Sequence, residues 1–200
     1  GILTTECNEW KGKEDELRDS AFKVYQRAKE LNAHVIYDSI GVGAGVGSNI
    51  KEFNKNNNTN IITNKFNAGD KVLRPEAIYS FNIKNKDMFA NLKAQAWWNV
   101  ADRLRITYNA VTKGEAYKED EIISIDSSID GLDELLLELS TPKRDFDLTG
   151  KTKVESKKDL AKRDVKSPNK ADAFIMAYQR PFKKERVAII PNGVRGVMSW

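Results

Sequence analysis

Two aspartates carry most of the chemical potential of this 200-residue sequence. Asp38 closes the apolar run HVIYD (34–38) and is followed at once by the glycine-rich GVGAGVG (41–47). The carboxyl end of a buried strand is where open α/β sheets place their ligands. A simpler role is also open to Asp38, that of capping the next turn. Asp172 lies inside SPNKADAFIMAY (167–178), where nearly every residue from Ala171 on is apolar, on all faces of a helix. A carboxylate in such a setting is costly to bury unless it is paired or holds a cation. A salt bridge to a nearby Lys or Arg would satisfy it as well as a metal would. Together the two acids favour a metal site, since two Mg²⁺ ions ~3.5–4 Å apart need several shared carboxylates.

The rest of the composition narrows that chemistry. His34 is the only histidine and Cys7 the only cysteine. An internal disulfide, a multi-cysteine zinc site and a two-histidine zinc motif are therefore excluded. Metal chemistry would rest on carboxylates, which select hard ions such as Mg²⁺ or Mn²⁺. His34 reads as an ordinary strand residue and Cys7 as a small core filler. The glycines of GVGAGVG alternate and never meet the GxGxxG spacing of a dinucleotide site. Gly150-Lys151-Thr152 mimics the end of a phosphate-binding loop, but Asp145 stands where the first glycine is needed. The formal charge is +4, and basic residues crowd into 143–170. Lys151, Lys153, Lys157, Lys158, Lys162 and Arg163 are the candidates for contact with a phosphodiester backbone, attracted through counterion release. A solvated hairpin and helix face would look the same.

The elements that must position these groups follow from periodicity. The chain is 40% hydrophobic and 31% charged, which fits one folded domain over 1–200. It has no apolar run of the ~18 residues that a membrane span needs, and no signal-peptide core. A strand is expected over 2–10. Glu14 to Leu31 reads as an amphipathic helix with Leu17, Ala21, Val24, Ala28 and Leu31 on one face. A strand at 34–38 precedes the glycine loop. Residues 51–70 are Asn-rich and read as an exposed polar excursion. A long helix is expected from Lys86 to Val111, with Phe89, Leu92, Ala96, Val100 and Leu104 buried. Trp97 and Trp98 widen that stripe, and Lys93, Arg103 and Arg105 decorate the rest. A strand at 121–125, a short leucine-rich helix ending before Pro142 and a hairpin over 144–156 follow. Ser167 and Pro168 predict an N-cap and a first helical position, and 186–190 a last strand. Strand, helix and strand in alternation make an α/β fold.

With these residues in place, the sequence resembles the nuclease domain of tailed-phage large terminase subunits. Three stretches carry the resemblance: HVIYDSIGVGAGV (34–46), ANLKAQAWWNVADRL (90–104) and KVESKKDLAKRDVKSPNKADAFIMA (153–177). The resemblance implies a ribonuclease-H-like fold, a mixed central sheet flanked by helices on both faces. It implies cleavage of double-stranded DNA during genome packaging, with two Mg²⁺ or Mn²⁺ ions as cofactors. Asp38 matches the second acidic ligand of the family and Asp172 the third. No position matches the first, so the resemblance implies that the opening strand is missing. Glu6 is not placed to replace it. Glu155 and Lys157 match a strand-end motif near the site, with Lys157 a candidate for offsetting phosphorane charge. The implied partners are duplex DNA, the terminase ATPase domain, the small terminase subunit and the portal protein. The implied setting is the host cytoplasm, transiently at the procapsid, without membrane or secretion. The rivals are another ribonuclease-H-like nuclease, of resolvase or integrase type, and a non-catalytic docking module. Repulsion between paired carboxylates further predicts that removing either aspartate raises thermal stability without metal.

Overall fold

The computed structural model describes residues 2–10 and 16–179, together with the backbone of strands at 187–189 and 195–197. The expected α/β character is present, with helices and short strands mixed along the chain. The strand expected over 2–10 is confined to β1 (Ile2–Thr4), which runs parallel to β6 (Ile123–Ile125) and is no longer than it. Beyond Thr4 two side chains reach the first helix, α1 (Leu17–Glu30): Glu6 pairs with Arg27, and Trp10 Nε1 donates to Ser20 Oγ at 3.0 Å. Ala21, Tyr25 and Ala28 form the buried face of α1. Leu31, expected on that face, lies past the helix end and is exposed. Glu14 and Asp15 fall outside the described residues.

The segment after the glycines departs most from expectation. GVGAG forms a tight 3-10 turn (Gly41–Gly45), and α2 (Val46–Asn57) follows it directly. The 51–70 stretch, polar and largely exposed as expected, is nevertheless structured: it contains most of α2 and then β3 (Thr63–Phe66), which pairs in parallel with β2 (Val35–Asp38). Its apolar residues are few but well spaced. Ile50 and Phe53 are buried against Tyr25 and Ala28 of α1. The asparagines do structural work that polarity alone conceals. Asn58 takes the left-handed cap with φ 50°. Asn54 Oδ1 accepts from Thr59 Oγ1 at 2.9 Å and from the Ile61 N–H at 3.0 Å.

Next comes a small hairpin of β4 (Ile78–Ser80) and β5 (Ile83–Lys84). The expected long helix is broken. A single turn, α3 (Asn85–Met88), gives way to extended Phe89, and Asn91 then caps α4 (Leu92–Lys113) by accepting from the Ala94 N–H at 2.9 Å. Leu92, Ala96, Trp97 and Val100 of α4 make the centre of the main core. This bears out the reading of Trp97 as a core residue, although its indole N–H finds no acceptor among the described residues. Cys7 packs at the edge of the same core.

The core is completed by Leu135 of α5 (Leu132–Ser140) and by Ala171, Phe174, Ile175 and Tyr178 of α7 (Asn169–Tyr178). Between them lie the expected hairpin, β7 (Arg144–Phe146) with β8 (Thr152–Val154), and an unforeseen short helix, α6 (Lys157–Lys162), capped by Ser156. Pro168, not Ser167, immediately precedes α7. The expected last strand corresponds to β9 (Val187–Ile189), paired antiparallel with β10 (Arg195–Val197). Pro191-Asn192-Gly193, whose residue types signal a turn after that strand, lies outside the described residues. Among the described residues the strands are bonded two by two, β2 to β3 and β1 to β6 in parallel, rather than in the single mixed sheet expected. No helix among the described residues is long and apolar enough to cross a membrane.

Surface ion pairs set an acid limit to this fold. Lys84 and Lys86 hold the Glu76 carboxyl far below its ordinary 4.5, at about 2. Lys153 and Lys162 similarly depress Asp145 and Asp159. A carboxyl that is more acidic folded than unfolded favours the fold above its unfolded pKa, and that contribution is lost as pH falls through the folded value. Thermal stability should therefore decline from about pH 4.5 towards pH 2, where Glu76 takes up its proton. A melting series across that window checks it. Each exposed pair contributes little alone, and Glu76→Gln should flatten the lowest part of the curve.

Candidate metal centre

Asp172 stands in the first turn of α7, at the rim of the core rather than inside it, and is 21% exposed. Two ammonium groups face its carboxylate. Lys93 Nζ, from the first turn of α4, is 2.8 Å from Oδ1, and Lys157 Nζ, from the start of α6, is 3.3 Å from Oδ2. The salt bridge anticipated for Asp172 is thus present, and it is doubled. Oδ1 is nevertheless buried without a hydrogen bond. Lys93 sits within ion-pair distance but out of line for a hydrogen bond, so the attraction is coulombic. A carboxylate oxygen is the kind of hard donor a divalent cation takes, and here two lysines balance its charge.

Asp38 ends β2 and is exposed. Its Oδ1 accepts the Ile40 N–H at 3.0 Å, so it does cap the next turn, while no hydrogen bond among the described residues reaches Oδ2. Helix α7 packs against β2, which puts the two aspartates on touching elements. A third acid is not assembled with them: among the described residues no group of three or more His, Cys, Asp or Glu side chains could hold a metal ion. Glu6 is engaged by Arg27 on the far end of α1.

The alternating glycines have a steric explanation. A Cβ on Gly43 would collide with the backbone carbonyl of Asp38, and one on Gly47 with the Tyr37 hydroxyl. The run lets the turn and the start of α2 close directly over the end of β2. Gly43→Ala must push that backbone apart, and since the obstacle is main chain it cannot yield cheaply. We expect it to destabilise the fold by roughly 1–3 kcal/mol, in the range of overpacking changes, and to displace Asp38. Urea unfolding together with Mn²⁺ binding would show both effects.

The remaining candidates divide. Lys157 is brought to Asp172. Glu155 is not; it accepts two bonds from Arg163, at 2.8 and 2.9 Å, and the Lys143 N–H at 3.0 Å, tying α6 to the base of the β7–β8 hairpin. Lys153 pairs with Asp145 and Lys162 with Asp159, at 3.0 and 2.7 Å. Lys151 and Lys158 have no ion pair among the described residues. The basic segment therefore offers less free positive charge than its residue count suggests. Lys93 is the neighbour of Asp172 that the sequence conceals, since periodicity places it only as decoration on the long helix. Its signal was its position, one residue into a helix whose neighbours Leu92, Ala94, Ala96 and Trp97 are all buried.

No protein-family model matches the chain, and no curated protein matches it significantly. Solved structures do. The nuclease domain of the large terminase subunit gp2 of bacterial virus Sf6 superposes with a TM-score of 0.75 at 31% identity, covering 82% of this chain and 73% of that one. A lysine-to-alanine variant of that domain, solved with manganese, gives 0.73 at 30% identity, covering 82% of this chain and 74% of that one. The same kind of variant solved with calcium gives 0.73 at 30%, with coverages of 82% and 73%. Fold and similarity together define a nuclease domain. The chain belongs to the family of large-terminase nuclease domains of bacterial viruses.

Proposed function

We propose that this chain is a Mg²⁺- or Mn²⁺-dependent endonuclease module that cuts double-stranded DNA during phage genome packaging. The observation that carries the reading is Asp172: a partly buried carboxylate, facing two lysines, on a helix packed against the strand that ends in Asp38. Manganese and calcium in the related Sf6 structures support a divalent cation here. Asp38 and Asp172 would hold it, and a two-ion, ribonuclease-H-like arrangement is the finer form of the proposal. The cation would supply Lewis-acid activation of water and neutralise charge on the phosphate.

The chain's own groups do the rest. Asp172 and Asp38 supply the anionic oxygens from elements that touch. Lys93, only 21% exposed, orients Asp172 from 2.8 Å. Lys157 is 55% exposed and can turn outward to offset charge developing on the scissile phosphate. Lys151 and Lys158 lie free on the basic segment to contact the backbone of the duplex, which gives positioning without base readout. The ATPase domain, the small terminase subunit and the portal would be partners in the packaging complex, working in the host cytoplasm at the procapsid.

The test is cutting of linear duplex, supercoiled plasmid and a four-way junction with Mn²⁺, Mg²⁺ or chelator. Cutting of duplex with Mn²⁺, no preference for the junction and none with chelator is expected. Junction-selective cutting would move the chain to the resolvase type. No cutting and no Mn²⁺ uptake by calorimetry would leave a docking module.

A further inference from the structure

Asp172 owes its place to the first turn of α7, and that turn has no local cap. A helix start leaves N–H groups that need acceptors from elsewhere. Pro168 offers no side-chain acceptor, and the Ser167 hydroxyl turns instead to Asn169 Oδ1 at 2.9 Å. The acceptor comes from a different helix: the Ala171 N–H donates to Glu138 Oε2 of α5 at 2.9 Å. One turn back on the same face of α5, Glu134 pairs with the Lys170 ammonium, whose side chain is only 10% exposed and which also lies 3.7 Å from Glu9. Leu135, between the two glutamates, is fully buried in the same cluster as Ala171 and Ile175. Helix α5 thus grips the two residues immediately before Asp172, one by its backbone and one by its side chain. Asp172 itself donates its N–H to the Pro168 carbonyl at 2.8 Å, a helical bond that exists only if this first turn is formed.

We propose that Glu138 is a positioning residue for Asp172. By accepting the Ala171 N–H it holds the first turn of α7 in place, and so fixes the direction in which the Asp172 carboxylate meets Lys93 and a divalent cation. The assignment rests on the metal reading above, and Glu138 acts through the backbone. Its negative charge also complements the helix N-terminus, so bond and charge must be separated by experiment.

Two variants separate them. Glu138→Gln keeps a carbonyl acceptor at the same reach and loses the charge. Glu138→Asp keeps the charge and shortens the reach by one methylene. Mn²⁺ affinity by titration calorimetry is expected to stay within about threefold of wild type in E138Q and to fall about tenfold in E138D, the lower range for partners that orient a metal ligand. Amide exchange at Ala171, in metal-free buffer, should quicken in E138D and not in E138Q. A lower melting temperature in E138D with unchanged Mn²⁺ affinity would make the role merely structural and overturn the proposal. A loss in E138Q with none in E138D would assign the effect to charge and overturn it too, and equal losses in both would show that the acceptor bond alone does not carry it. If wild type itself takes up no Mn²⁺, the metal reading fails and this assignment fails with it, an outcome distinct from normal binding by wild type and E138D alike. Should E138D not fold, E138Q decides: retained affinity with a protected Ala171 amide supports the bond, and a tenfold loss in a folded protein refutes it.

Discussion

Asp172→Asn is expected to lower Mn²⁺-dependent plasmid cutting by on the order of a thousandfold, comparable to removing a preorganised charge from a transition-state site. The substitution keeps the shape of the side chain and an oxygen in place of Oδ1, so the fold should persist. What it removes is the one charge that faces both Lys93 and Lys157. Two ammonium groups would then face a neutral amide that cannot balance their charge. The expected cost in metal-free buffer is about 1–3 kcal/mol, that of leaving partly buried charged groups unsatisfied. The sign is opposite to what carboxylate repulsion predicts, because the nearest charges to Asp172 are positive. Melting curves with chelator decide the sign, and initial cutting rates at saturating Mn²⁺ decide the role. Adding Lys93→Met to Asp172→Asn should restore part of the lost stability, since it removes the more buried of the two stranded cations. A melting temperature that rises on Asp172→Asn alone would mean that another acid lies closer than Lys93. Cutting within tenfold of wild type would remove Asp172 from the chemistry.

The contrast between Asp172 and Glu155 shows what a sequence makes legible. An acid in an otherwise apolar helix needs a partner or an ion wherever it is found, so Asp172 could be singled out from its neighbours alone. Its partners could not, because Lys93 precedes it by 79 positions (172 minus 93) on a helix whose start depends on the Asn91 cap. Glu155 has the same residue type and a suggestive motif, but only the folded chain shows it committed to Arg163 and Lys143. Helices α1, α5 and α7 and the β7–β8 hairpin were readable because their apolar residues or turn residues recur at the right step. Helix α2 was not, because its two buried residues, Ile50 and Phe53, sit among asparagines, of which Asn54 bonds to the Ile61 carbonyl of the next loop and Asn57 to the Phe53 carbonyl of the helix itself. Composition signals polarity there, while geometry decides whether the polarity is solvated or used. The glycine run reads from sequence only as a loop for a related reason. Glycine marks both freedom and close approach, and only the Asp38 carbonyl and the Tyr37 hydroxyl beside Gly43 and Gly47 show that close approach is the reason here.

Phe89→Ala is expected to destabilise the fold by about 3–5 kcal/mol, the range for emptying an aromatic site in a packed core. The ring is 2% exposed and meets Tyr79 edge-on, with centroids 4.9 Å apart. Trp98 lies on another side at 6.3 Å. Placed inside a continuous helix, as periodicity suggests, Phe89 would be one apolar residue of many. Its extended backbone gives it a larger role, since it bridges to Thr152 of β8 and the adjacent Ala90 N–H donates to the Thr152 carbonyl at 2.9 Å. That joint fixes where α4 begins, and Lys93 stands in the first turn of α4. Losing the ring should therefore act twice: on global stability in urea, and on the Lys93–Asp172 pair at temperatures where the protein is still folded. Phe89→Leu keeps most of the buried area and is expected to cost much less. If Phe89→Ala lowers stability as stated but leaves Mn²⁺ affinity and cutting at 20 °C below its new transition unchanged (roughly, a margin that keeps the folded state dominant), the joint is structural only. If stability falls by less than about 1 kcal/mol, the site has collapsed around the missing ring, and the break at Phe89 is not held by packing.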